Sequence, residues 1–234
     1  MLIRHDRSDR ESLVDSADWP ALTSIFRGHG GASLIASRWL LTAGHVGKVI
    51  PVDHNVGVHL AGKRYPMLRV VPHPSYRPEW GDEETDEGDN VVDLALIELA
   101  EPVEAIQPFR LYEHSDELGQ EIILLGAGES GTGRRGTIGS DRHLRRVTNR
   151  VDEVDTFWLK FRFDEPPAGT YLEGVCGHGD SGYPAFIQQD GQMRLAGISS
   201  WQDSGDRPLG TYNCLEHYAR VSNHLDWIRA IIDC

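Results

Sequence analysis

Through most of the chain, apolar residues come in short runs cut by Gly and Pro. They are Ser33-Leu34-Ile35-Ala36, Val56 to Leu60, Leu68 to Val71, Leu94 to Leu99, Glu121 to Leu125, Phe157 to Phe163, Ala185 to Ile187 and Leu195 to Ile198. Runs of this length between turn residues predict the strands of an all-β barrel or sandwich. No repeat of fixed period links them. The pattern changes at the end of the chain. Val221, Leu225, Ile228 and Ile232 recur at helical spacing, Ser222-Asn223 stand ready to cap, and Asp226 falls in the first turn. This predicts a C-terminal helix over about 222–233. Two segments read as exposed loops: Trp80 to Asn90, too rich in Asp and Glu to bury, and Glu129 to Gly139, rich in Gly, Ser, Thr and Arg.

Composition narrows the function classes. A chain of 234 residues can bury a substantial core without disulfides, although length does not decide the number of domains. The formal charge of −13 argues against a nucleic-acid partner, which needs clustered Lys and Arg. Such a charge attracts basic peptides at long range, and it also simply confers solubility. No stretch approaches the roughly 20 apolar residues that cross a bilayer, so no membrane partner is expected. Met1 to Asp6 lacks the apolar run of a secretory leader. The expectation is a cytoplasmic protein as the chain stands, or a secreted one if a leader has been removed. Cys176, Cys214 and Cys234 are too few for a disulfide framework.

Three strings carry the candidate chemistry: Leu41-Thr42-Ala43-Gly44-His45, Asp93-Leu94-Ala95-Leu96 and Gly179-Asp180-Ser181-Gly182. Nucleophilic hydrolysis by serine needs a hydroxyl, an imidazole to carry its proton and a carboxylate to orient the imidazole. Their order along the chain, His then Asp then Ser, is one of several that solve this geometry. On these strings, from about Trp19 to the C-terminus, the chain resembles the trypsin-like (chymotrypsin-fold) serine proteases. With three cysteines, and with Val46 where animal enzymes place a cysteine, the resemblance is to the bacterial type or to an intracellular member.

The resemblance implies two six-stranded antiparallel β-barrels with a C-terminal α-helix, forming one peptidase domain over 1–234. The first barrel would occupy about 19–105 and the second about 113–221, with the crossing near Pro102 to Tyr112. Ser181 would be the nucleophile, His45 the general base and acid, and Asp93 the orienting carboxylate. Asp89 is the rival for the last role. The amides of Gly179 and Ser181 would form the oxyanion hole, Asp180 would hold that loop, and Ser200 would support Asp93. Ser200, Trp201 and Gln202 would pair with the substrate backbone, with Trp201 lining the cleft. The pocket floor would fall on Val175 or Gly174, His178 on the rim, and Gln202 at the mouth. Glu216 either reaches the pocket wall, favouring a basic side chain, or points outward.

The partner is a protein or peptide substrate, the oligomeric state is open, and no cofactor is required. The acidic 82–89 loop is a solvated surface, a basic-substrate attractor or a Ca²⁺ site. A Cys176–Cys214 disulfide fits an oxidising compartment and not cytosol. Family members activate when a new N-terminal Ile or Val pairs with the carboxylate matching Asp180, and Ile3 is the candidate here. A zymogen, a partner-activated enzyme and a silent protease-like binding module remain as alternatives.

Overall fold

A computed structural model describes every residue except 26, 27, 29, 52–55, 78–90 and 234. The chain opens with a two-residue strand, β1 (Leu2–Ile3), and a short helix, α1 (Asp9–Ser12). Ser8 and Glu11 form a reciprocal capping box on α1, which satisfies amides that a single turn would otherwise leave open. Buried Arg145 fastens α1 to the body through Asp9, at 2.8 and 2.9 Å.

Six strands follow: β2 (Leu22–Ile25), β3 (Gly30–Ala36), β4 (Trp39–Thr42), β5 (Gly57–Leu60), β6 (Lys63–Pro72) and β7 (Ala95–Leu99). They form one sheet of order β2-β3-β4-β7-β6-β5, and β2 lies back against β5, giving the sheet its barrel form. Leu34, Leu40, Leu41, Leu96 and Ile97 are wholly buried, and as successive strand residues alternate between its two faces, both faces of the sheet are covered. The short helix α2 (Gly44–Lys48) leaves the end of β4 and carries His45.

The crossing segment predicted at Pro102 to Tyr112 contributes β8 (Arg110–Leu111). The second sheet is built from β9 (Glu121–Gly126), β12 (Arg145–Arg150), β14 (Trp158–Arg162), β16 (Pro184–Gln189), β17 (Gln192–Asp203) and β18 (Leu215–Arg220). The two-residue β8 and β13 (Glu153–Val154) bring this sheet to eight strands. The fold is the expected pair of barrel-like sheets with a C-terminal helix.

Three local expectations change. The segment Glu129 to Gly139 is not a plain loop: β10 (Ser130–Thr132) and β11 (Gly136–Gly139) form a hairpin there. An isolated hairpin is marginal. β1 pairs in parallel with β10 and antiparallel with β15 (Gly174–Val175), giving a four-stranded sheet. The helix α3 spans Leu225–Ile232, and Ser222 to His224 form a 3₁₀ turn ahead of it. Ser222 and Asn223 do not cap α3, because their side chains are engaged elsewhere. Ser222 donates to buried Glu117 at 2.5 Å and Asn223 to the Thr156 carbonyl at 2.8 Å. Finally, the two cysteines in the described residues, Cys176 and Cys214, are free and buried.

Two apolar clusters form the interior. One joins the first sheet to a face of the second and to Leu225 and Ile228 of α3. The other contains Met1, Leu2 and Ile3 among Val147, Phe161, Phe163, Val175 and Tyr218. The first three residues of the chain are therefore core of the second sheet. No helix among the described residues is long and apolar enough to cross a membrane.

Candidate active site

The site begins where β4 runs out. Ala43 ends the strand extended, and α2 turns His45 toward Asp93, a fully buried carboxylate that leads into β7. Asp93 Oδ1 accepts the His45 backbone N–H at 2.8 Å, and Oδ2 lies 2.7 Å from His45 Nδ1. This contact fixes the ring and directs Nε2 away from the carboxylate. Burial lowers the imidazole pKa, the hydrogen bond and charge of Asp93 raise it, and the result lies above the ordinary 6.5. Gly44 is required by the packing: a Cβ there would stand 2.6 Å from the Tyr76 ring and 3.0 Å from Asp93 Oδ1.

The second sheet reaches the same carboxylate through an irregularity in β17. Ser199 pairs with Tyr218 and Trp201 with His217, so the register slips at Ser200. Such a bulge re-aims a side chain. Ser200 Oγ donates to Asp93 Oδ2 at 2.5 Å. Trp201 stacks on His217 with ring centroids 3.7 Å apart.

Ser181 sits in a loop held from several sides. Gly31 of β3 donates to the Ser181 carbonyl at 2.8 Å. A Cβ on neighbouring Gly30 would lie 3.0 Å from Val46 and 3.2 Å from that carbonyl, so β3 runs between α2 and the loop. Gly179 has φ +89°, and a Cβ there would meet the Gly28 carbonyl at 2.6 Å. Only glycine satisfies both conditions.

Asp180 is fully buried and fully engaged. Its Oδ1 accepts from Gly128 N at 2.7 Å, and its Oδ2 from Gly177 N at 2.9 Å. The ammonium of Met1, also fully buried, lies 2.7 Å from Asp180 Oδ2 and donates to the Glu129 carbonyl at 2.6 Å. The sequence had pointed to Ile3 for this contact. Ile3 instead pairs within β1, two residues further in, where its backbone is committed to the sheet.

A cavity of about 280 Å³ opens beside Ser181, walled by Cys176, Ser199, Trp201, Gln202, Leu209 and Glu216, with His178 on its exposed side. Glu216 faces inward. Its Oε1 accepts from Cys176 N at 3.1 Å and from Gln202 Nε2. Burial pushes the Glu216 carboxyl up to about 8. Burial also drives the Cys176 thiol and the Tyr218 phenol well above their ordinary values. Val175 is absent from the wall. It is wholly buried in the second cluster and paired with Leu2, while Gly174 pairs with Ile3. Cys176 takes the place on the wall that the count from Ser181 had put one or two residues earlier.

The comparisons with known proteins match residues 12–228 to the family model Trypsin. The chain belongs to the trypsin family.

Among curated relatives, the trypsin-family chain is 28% identical to mosquito (Anopheles gambiae) serine protease SP24D, over 93% of this chain and 78% of that protein. It is 28% identical to mouse complement C1r-B subcomponent over 90% of this chain, but spans only 32% of that protein. Against fruit-fly melanization protease 1 the identity is 24%, over 86% of this chain and 57% of that protein. These relatives are animal proteins and lend no support to a bacterial type. The chain thus spans about a third of the mouse protein and little more than half of the fruit-fly one.

Among its candidate residues, the structure gathers His45, Asp93 and Ser200 on one carboxylate and places Ser181, Gly179, Trp201, Gln202 and Glu216 around one cavity. Asp89 and the acidic 82–89 segment considered for Ca²⁺ lie outside the described residues. Sequence reasoning missed Met1, Ser199 and Leu209, and took Cys176 for a disulfide partner where the structure makes it a free thiol on the cavity wall. The apolar Met1-Leu2-Ile3 start was the available sign that the N-terminus buries.

Proposed function

We propose that the chain is a serine endopeptidase working through Ser181, His45 and Asp93. His45 takes the Ser181 proton as Oγ attacks the scissile carbonyl. The amides of Gly179 and Ser181 receive the negative charge on the tetrahedral oxygen. His45 then protonates the leaving amine, and a water that it deprotonates releases the acyl group. Asp93 holds the imidazole with its donor on Nδ1 and stabilises the imidazolium. The substrate would add as a strand along Ser200 to Gln202, with its side chain entering the cavity beside Glu216. A basic side chain is the occupant that this carboxylate favours.

The observation that carries this reading is the buried Asp93 carboxylate, which binds both the backbone and the ring of His45 while accepting Ser200 from the other sheet. Asp180, through Gly128 and Gly177, ties down the loop that carries Ser181. A second reading, a binding module with a closed pocket, draws on the Gln202 contact with Glu216. Fluorophosphonate labelling followed by intact mass separates the two, with Ser181→Ala as control. Labelling of the wild type alone is the expected result. An unlabelled wild type rejects the enzyme.

A further inference from the structure

Gln202 and Glu216 stand directly opposite one another on β17 and β18. Their side chains meet inside the cavity, where Gln202 Nε2 donates to Glu216 Oε1. The other end of the same amide is also used: Gln202 Oε1 accepts from Gly210 N at 2.5 Å. The amide therefore links the strand that would bind substrate to the opposite wall and to the loop that follows. Gly210 in turn packs against Leu2 of β1, and Leu209 beside it lines the cavity. The crossing amide is thus braced by the buried start of the chain.

We propose that Gln202 is a gate across the specificity pocket, closed on Glu216 in the free protein and opened by a substrate side chain carrying a cationic donor. This rests on the protease reading and specifies how its pocket selects. Glu216 is 1% exposed, and a buried carboxylate without a donor is costly. The Gln202 amide supplies its side-chain donor in the free protein, beside the Cys176 backbone N–H. A small aliphatic side chain has nothing to offer Glu216 and leaves the amide in place. A lysine or arginine side chain offers a charge-assisted donor, which is stronger than a neutral amide. It must first displace Gln202, and that displacement offsets part of the gain. The chain therefore discriminates weakly in favour of basic residues, and the limit is set by Gln202 rather than by Glu216.

The test uses matched peptide substrates that differ only in Lys or Ala before the scissile bond, and reads the ratio of their kcat/KM values. In Gln202→Gly the Lys/Ala ratio is expected to rise about tenfold or more, the scale of one hydrogen bond to a charged group. Adding Glu216→Gln to that variant returns the ratio toward the wild-type value. Gln202→Ala serves if the glycine variant fails to fold. A ratio unchanged or lowered in either variant overturns the gate, as does a gain that survives Glu216→Gln. Fluorophosphonate labelling of every variant separates the two layers. Labelled protein without a ratio change rejects the gate alone, whereas unlabelled wild type rejects the protease reading and the gate with it.

Discussion

At the scale of single residues, Asp93 does the most with the fewest atoms. One oxygen holds the His45 backbone, and the other holds the ring and Ser200. Asp93→Asn should lower turnover by roughly 10⁴, because an amide presents the wrong partner to the imidazole. A fall below tenfold, measured on folded protein, would remove Asp93 from the mechanism. The pH profile tests Glu216. His45 loses its proton above an already raised pKa, which sets a rising limb for any substrate. Glu216 ionises only around 8. The titratable groups that interact with it are the Cys176 and Cys214 thiols, the Tyr218 phenol, Asp180 and the Met1 ammonium, and burial keeps both thiols and the phenol protonated throughout. For a lysine substrate kcat/KM should keep rising as pH passes 8, while for alanine it levels once His45 is neutral. Superimposable profiles would show that Glu216 does not meet the substrate side chain.

At the scale of elements, the loop carrying Ser181 depends on a strand far away in the chain. β1 delivers the Met1 ammonium to Asp180, and Asp180 ties down Gly128 and Gly177. Asp180→Asn leaves the ammonium buried without its counter-charge, a loss of roughly 3–5 kcal/mol for pairs of this kind. Urea unfolding should report that loss, and the rate of fluorophosphonate labelling should fall with it. An unchanged labelling rate would mean that the Ser181 loop holds its shape without the pair. The hairpin of β10 and β11 belongs to the same unit, since β1 is what covers its edge. With Ile138 as the only large apolar residue among Gly, Ser, Thr and Arg, no period-two pattern forms there, so the segment reads as loop.

At the scale of the whole molecule, two buried glutamates set a pH dependence of stability. Burial raises Glu173 from 4.5 to about 7, although Thr170 donates to it from N at 2.6 Å and from Oγ1 at 2.8 Å. Glu216 is raised to about 8. The folded chain holds both protons more tightly than the unfolded chain does. Their contribution is therefore full below the ordinary glutamate range and is lost as pH rises through about 7 and then about 8. Tm should decline between pH 5 and pH 8, and Glu173→Gln should flatten part of the decline. An identical slope in the variant would show that Glu173 is not its source.

The sequence by itself determined the alternation of short strands and turns, the terminal helix and the three strings around His45, Asp93 and Ser181. Each is local: apolar spacing, a glycine with positive φ, small residues beside a histidine. The tertiary structure decided the rest. Met1 and Asp180 are 179 positions apart, and nothing near either residue names the other. The resemblance already implied that Ser200 supports Asp93, and the register slip of β17 is the means; Gln202 crosses to Glu216 because two strands align. Strand pairing and burial act between distant segments, so contacts of this kind exist only once the chain has closed on itself.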